Sequence, residues 1–232
     1  MTLTTATTLA TTMADGAPRN HDTSRVLALQ RHGVDVLLDV GANAGHFATL
    51  LRATGYRGRI VSVEPLDAAY AELSLASAVD PAWTAVQTAL AATPGPLDMH
   101  VTADSRCSSV LTPAAIVGFP GGAPVSTATV SSRTLDELCD EHVGATEHLA
   151  VKLDAQGYER EILAGGAVAL VRARVLEIEM ALVATYDGAA LVQDLLPALT
   201  AHGFAVVSIE PGHRDRTTGQ VYDVDVLMER TA

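Results

Sequence analysis

Two acidic positions beside glycine turns carry the chemistry that this sequence offers. The first lies in Asp39-Val40-Gly41-Ala42-Asn43-Ala44-Gly45-His46, with Glu64 further along the chain. Residues 34–40 (VDVLLDV) form a short apolar run that ends in an acid and then a glycine, the pattern of a buried strand feeding a turn. Arg59–Val63 (RIVSV) is a second such run, closed by Glu64-Pro65. In open α/β sheets ligands sit at the carboxyl ends of the strands. Gly41 and Gly45 remove side chains where a nucleoside or an amino-acid tail must approach the backbone. A carboxylate at Glu64 can accept both hydroxyls of a ribose. A nicotinamide dinucleotide would need a pyrophosphate cradle of the form G-x-G-x-x-G. Here the spacing is G-x-N-x-G, with no third glycine in register. S-adenosyl-L-methionine has no phosphate but carries an ammonium and a sulfonium, and Asp39 beside the turn suits those cations. The turn therefore favours the methyl donor over a dinucleotide, and Glu64 argues against a turn with no ligand.

The second acidic position is LAVKLDAQGYERE, residues 149–161, in which Asp154 ends a strand and Gln156, Gly157 and Tyr158 follow in the turn. Glu179 ends the next strand, in LEIEM. If these strands are neighbours, both carboxylates lie at one sheet edge beside the cofactor. Two carboxylates and a Gln carbonyl are hard oxygen ligands, suited to Mg²⁺ or another divalent cation. A metal there would lower the pKa of an acceptor hydroxyl; without one, a carboxylate would serve as general base. Metal ligation, general-base action and a purely structural role all stay open for Asp154 and Glu179. Lys152 stands one strand repeat before Asp154, on the same face. An ion pair with one of these carboxylates is expected of it. His46, in the glycine turn, and His213, in the loop before the last strand, stand out among otherwise scattered histidines, and neither is assigned a role as base.

These positions need an alternating frame, and the sequence supplies one. His46–Ala53 and Asp67–Ser77 read as helices, the second with Asp67 as its cap. Residues 82–90 read as one strand. Residues 97–101 and 125–130 read as two shorter strands around an irregular loop, residues 102–123, whose length suits a lid or a plain surface connection. Thr134-Leu-Asp-Glu opens a helix running to about His142, Leu149–Leu153 is a strand, and residues 158–163 are a helix stopped by Gly165-Gly166. Residues 174–180 are a strand, and residues 189–202 a helix with Gly203 just past its end. Residues 204–210 and 221–229 are the last two strands, joined by a loop that implies a hairpin. Such alternation predicts a Rossmann-like α/β fold with a mostly parallel seven-stranded sheet and an antiparallel strand near the C-terminal end. Residues 1–24, rich in Thr and Ala, read as a flexible leader, and 25–232 as one domain.

Composition narrows the partners. The 232 residues carry a formal net charge of -12 with 48% hydrophobic residues. Lys152 is the only lysine. That charge disfavours phosphate backbones and anionic lipid, so neither nucleic acid nor membrane is expected as partner. No apolar run reaches the ~18–20 residues of a bilayer span. Cys107 and Cys139 form no metal-type spacing or disulfide framework and read as reduced thiols of a cytoplasmic protein. Many Ala and Arg against one Lys suit a GC-rich bacterial genome.

Several stretches together resemble the FkbM family of methyltransferases: DVGANAGHF from Asp39, SVEP from Ser62, SSVL from Ser108, RTLDEL from Arg133, KLDAQGYEREILAGG from Lys152, EIEMALVATYDG from Glu177, and GFAVVSIEPGHRDRTTGQVYDVDVLM from Gly203. The likeness spans roughly residues 34–230. DVGANxG is shared with other methyltransferases. KLDAQGYE with the later E-x-E and D-x-D is more specific. The resemblance implies O-methylation of a hydroxyl, on a sugar or specialised metabolite, with adenosylmethionine as donor. It implies Asp39, Gly41, Asn43, Gly45 and Glu64 as cofactor-binding and Asp154 at the active-site edge. Two departures bear on substrate fit: the stretch LSLASAVDP lacks the asparagine usual after SVEP, and Ala155 replaces a bulkier apolar residue. The expected partner is a small hydroxylated molecule, with a homo-oligomer also possible. The competing functions are a non-catalytic adenosylmethionine-binding module and a dinucleotide-dependent oxidoreductase.

Overall fold

The structure, a computed structural model, describes residues 21–114 and 123–231. Strands β1 (Val36–Val40), β2 (Arg59–Val63), β3 (Trp83–Val86), β7 (Leu149–Leu153), β8 (Ala173–Ala181), β9 (Phe204–Pro211) and β10 (Asp223–Arg230) form one sheet. Its order is β3-β2-β1-β7-β8-β10-β9. β1 and β7 are buried along their whole length, as near-continuous apolar runs are when both faces of a parallel sheet are covered. β10 runs antiparallel to both β8 and β9, and the other pairs are parallel. This is the Rossmann-like sheet with an antiparallel strand near its C-terminal end. A smaller sheet, β4 (Ala89–Leu90), β6 (Ser126–Arg133) and β5 (Gly95–Val101), stands beside it.

Helices cover both faces. On one, α1 (His21–Arg31), α2 (His46–Ala53) and α3 (Asp67–Ser77) bury Leu29, Leu51 and Leu73 over Leu37, Ile60 and Leu227. On the other, α4 (Leu135–His142), α5 (Glu159–Ala164), α6 (Ala167–Arg172) and α7 (Val192–Ala201) bury Leu138, Ile162, Leu170 and Leu199 over Leu38, Val151 and Ile178. α4 starts with a full capping box: Thr134 Oγ1 accepts from the Glu137 amide at 3.0 Å, and Glu137 accepts from the Thr134 amide at 2.8 Å.

Some boundaries differ from the sequence reading. The strand expected over residues 82–90 is two, because the ladder with β2 ends at Val86 and the chain crosses to pair Ala89 and Leu90 with β6. Asp67 is the first residue of α3 rather than its cap; Leu66 holds the cap position, and Asp67 Oδ1 accepts from Gln87 at 2.6 Å. Gly165-Gly166 does end α5, with Gly165 as its C-cap, but a further short helix not expected from the sequence, α6, starts directly after Gly166. α7 begins three residues late, after a turn at Gly188 (φ 82°). Residues 21–24, read as leader, belong to α1, while residues 1–20 and part of the expected lid, 115–122, lie outside the described residues. No helix among the described residues is long and apolar enough to cross a membrane.

Candidate active site

The sheet register lines up the polar residues. Ser62, Asp39, Lys152 and Glu177 are successive partners across β2, β1, β7 and β8. Just beyond, Glu179 faces Asp225 across β8 and β10. All stand at or near the carboxyl edge, where the strands give way to turns.

The first turn is held in left-handed backbone at Gly41 (φ 74°), Asn43 (φ 47°) and Gly45 (φ 84°). A Cβ on Gly41 would stand 1.8 Å from the Asp154 carbonyl oxygen. Only glycine lets the turn lie against the end of β7. Glu64 fastens the turn: its Oε2 accepts from the Asn43 amide at 3.0 Å and its Oε1 from the Leu66 amide at 2.9 Å. A carboxylate offers about four lone-pair sites, so Glu64 keeps acceptor capacity for a ligand. Asn43 Nδ2 in turn donates to Ser105 Oγ at 3.0 Å, tying the 102–114 segment over the turn.

Gly41, Asn43 and Glu64 line a cavity of about 490 Å³, as do Lys152, Asp154 and Glu179. That volume falls among ordinary small-ligand sites. Two expected cofactor residues are placed elsewhere. Gly45 turns away from the cavity, where a Cβ would meet the Trp83 ring at 2.9 Å; it serves the packing of α2. Asp39 is fully buried beneath the turn. Its Oδ2 accepts from Ser62 Oγ at 2.8 Å, its Oδ1 takes no hydrogen bond among the described residues, and Lys152 Nζ lies 3.7 Å away. Burial pushes the Asp39 pKa up, against the pull of Lys152. Asp39 thus anchors Lys152 from beneath the turn.

The second acidic pair does converge. Gln156 Nε2 donates to Asp154 Oδ1 and to Glu179 Oε2, both at 2.9 Å. Its Oε1 lies 2.8 Å from the Tyr186 hydroxyl. The expected third hard oxygen therefore faces away, and an amide nitrogen, a donor, fills the space between the carboxylates. Gln156 (φ 54°) and Gly157 (φ 94°) hold this turn in left-handed backbone, strain of a kind that collects at functional sites. Lys152 Nζ donates to Asp154 Oδ2 at 3.2 Å, the expected ion pair. Burial, then the neighbouring Asp154, Glu159, Asp223 and Asp225, raise the Glu179 pKa well above the usual carboxylate range.

Sequence reading passed over several residues here. Glu159, 3% exposed, accepts from the amides of Ala155 (2.7 Å) and Gly157 (3.2 Å) and fixes the second turn. Its burial lifts its pKa to about 7. Asp223 accepts from His213 twice, at Oδ1 from the amide (2.8 Å) and at Oδ2 from Nδ1 (3.0 Å). This bond, opposed by burial, raises the His213 pKa. Glu179, His213 and Asp223 bring one ligating atom each within 4.8 Å of one another. The D-x-D motif, Asp223 and Asp225, was the signal for this corner. Phe47, the last residue of the DVGANAGHF stretch, was assigned no role from the sequence and also lines the cavity.

The donor set fits adenosylmethionine and not a pyrophosphate. Among the described residues the cavity wall carries five carboxyl groups, Glu64, Asp154, Glu179, Asp223 and Asp225, against Lys152, Arg106 and the imidazoles of His46 and His213. That field attracts a sulfonium and an ammonium and repels phosphate. A doubly wound sheet with a terminal hairpin strand and such a turn defines the α/β methyltransferase class. The sequence matches the methyltransferase FkbM domain over residues 39–206, and the chain belongs to that family. Among curated proteins none matches. Solved structures of similar shape include magnesium protoporphyrin IX methyltransferase from Synechocystis PCC 6803 with bound SAM. It is 13% identical, over 98% of this chain and 78% of that one, with a TM-score of 0.48. An rRNA methylase from Streptococcus thermophilus is 11% identical, over 91% and 96%, with a TM-score of 0.49. Likeness at this level says nothing of cofactor or acceptor.

Proposed function

We propose that this chain transfers the methyl group of S-adenosyl-L-methionine to a hydroxyl of a small metabolite or sugar-containing natural product. The observation that carries the reading is the acidic cavity built on the Gly41 turn, with the Glu64 carboxylate in its wall. Bound there, adenosylmethionine supplies an electrophilic methyl on a cationic sulfur. Glu64 accepts hydrogen bonds from the ribose hydroxyls while still holding the Asn43 and Leu66 amides. Lys152 and Gln156 fix the Asp154 carboxylate at the mouth of β7. Asp154 or Glu179 takes the proton of the acceptor oxygen as it attacks. Calorimetry with adenosylmethionine is the test. Glu64→Ala is expected to weaken binding by ~1.5–3 kcal/mol, the scale of a hydrogen bond to a charged group; unchanged affinity removes Glu64 from the site.

A divalent cation such as Mg²⁺ does not fit Asp154, Glu179 and Gln156 as a ligand set, because Gln156 turns its NH₂ toward both carboxylates. Proton removal by a carboxylate is the reading that this geometry favours. Methyl transfer, followed as adenosylhomocysteine release, is expected to survive exhaustive chelation and to fall by roughly 10²–10⁴-fold in whichever of Asp154→Asn and Glu179→Gln removes the base. Activity lost on chelation and restored by Mg²⁺ or Mn²⁺ would reverse that choice and point to Glu179, His213 and Asp223 as donors.

A further inference from the structure

Helix α1 lies outside the segment that matches the family, residues 39–206, and lines none of the cavity itself, yet its Arg25 stands against Phe47, which does. Arg25, buried, makes a two-armed ion pair with Glu177 and donates to Asp22 Oδ1 at 2.5 Å. His21 adds a contact to Glu177 at 3.2 Å. The Arg25 guanidinium carbon also stands 4.9 Å from the centroid of the Phe47 ring, and Lys152 Nζ stands 5.4 Å from it. Both are within cation–π reach. Phe47 is the second residue of α2, directly after the glycine turn, and its ring is part of the cavity wall beside Lys152. A side chain at the start of a short helix has several rotamers open to it; two cations, themselves fixed by Glu177, Asp39 and Asp154, select one.

We propose that Arg25 is a positioning residue for cofactor binding: with Lys152 it holds the Phe47 ring as the wall against which adenosylmethionine packs. The proposal rests on the methyltransferase reading. Arg25 touches no ligand; it acts through Phe47. The guanidinium plane suits this use, since it can lie on a ring while its edge bonds a carboxylate in two places, which an ammonium cannot do. The ion pair with Glu177 fixes the plane, and against burial, which would raise it, Arg25 and His21 hold the Glu177 pKa down at about 2. Glu177 is therefore charged throughout the working pH range.

The test is a double-mutant cycle read in adenosylmethionine affinity by calorimetry, on the full chain. Arg25→Lys keeps the charge beside Glu177 and loses the planar stack. It is expected to weaken binding about three- to tenfold where Phe47 is present, because a shorter ammonium cannot pair with Glu177 in two places and also lie flat on the ring. In a Phe47→Leu background the same change is expected to shift affinity less than about twofold, because its route of action is gone. Where Arg25→Lys does not fold, Arg25→Met with Glu177→Gln, which removes both buried charges, is read in the same two backgrounds. A purely structural Arg25 would weaken binding equally in both, and that result overturns the proposal, as does no effect in either. Wild-type protein that binds no adenosylmethionine instead fails the methyltransferase reading itself, and the positioning role falls with it.

Discussion

Gly41→Ala is expected to abolish measurable adenosylmethionine binding and to destabilise the fold by at least ~3 kcal/mol. Part of that is conformational: at φ 74° an L-residue costs ~1–2 kcal/mol. The larger part is steric. The new Cβ would meet the Asp154 carbonyl oxygen at 1.8 Å, and that atom belongs to backbone whose amide bonds Val40. To make room, the glycine turn and the end of β7 must part, which separates Glu64 and Asn43 from Asp154. Gly55 is the control. It also has a left-handed φ, 100°, but a Cβ there meets nothing within 4 Å. Gly55→Ala should show the conformational cost alone and full binding. Urea unfolding and calorimetry on both variants decide the point; a Gly41→Ala protein that binds normally would mean the ligand lies elsewhere.

Lys152→Met is expected to cost ~3–5 kcal/mol, the penalty for leaving a buried charge uncompensated, and to lower Tm by roughly 6–20 °C in a chain this size. Lys152 is 8% exposed and neutralises Asp39 and Asp154. Asp154 retains Gln156, but Asp39 Oδ1 has no other partner among the described residues. Asp39 already has a raised pKa, chiefly from burial, and losing Lys152 raises it further. An acid whose pKa is higher folded than unfolded binds more protons in the folded state, so stability falls as pH rises through that range. Lys152→Met should thus be least harmful near pH 4 and most harmful above neutrality. Adding Asp39→Asn should recover most of the loss and flatten the pH dependence. Equal damage at every pH, or no recovery in the double variant, would show that Lys152 acts through packing alone.

The parts of this molecule most legible in its sequence were those set by burial on both faces. Arg59–Val63 and Leu149–Leu153 stand where their apolar runs place them, and β1 starts two residues inside its run, because a fully covered strand has little other way to bury such residues. The acids closing those runs marked the sheet edge for the same reason. What pairing decides was not legible. The start of α1 is polar because His21 and Arg25 pair with Glu177, more than 150 residues away, so residues 21–24 looked like an extension of the Thr- and Ala-rich leader. Asp39 was recognised by position, but its partner Lys152 comes from register, which turned it beneath the site. The Gln156 amide was assigned as an oxygen ligand because the sequence cannot show Tyr186 taking that oxygen. The break between β3 and β4 reflects a change of partner strand, which no local periodicity records.

The order in which the strands are made also has a consequence for biosynthesis. Among the described residues β9 pairs with no strand but β10, and β10 is also the antiparallel neighbour that brings Asp225 opposite Glu179. Until residues 223–230 exist, the nascent sheet ends at β8 with an open edge, β9 has no place in it, and Asp223 and Asp225 are missing from the cavity wall. Residues 223–230 must therefore be made before a cavity with this acidic wall becomes available. Maturation waits on a strand that must insert between two already made, a long-range closure of the kind that folds slowly and leaves a strand edge exposed to aggregation or chaperones meanwhile.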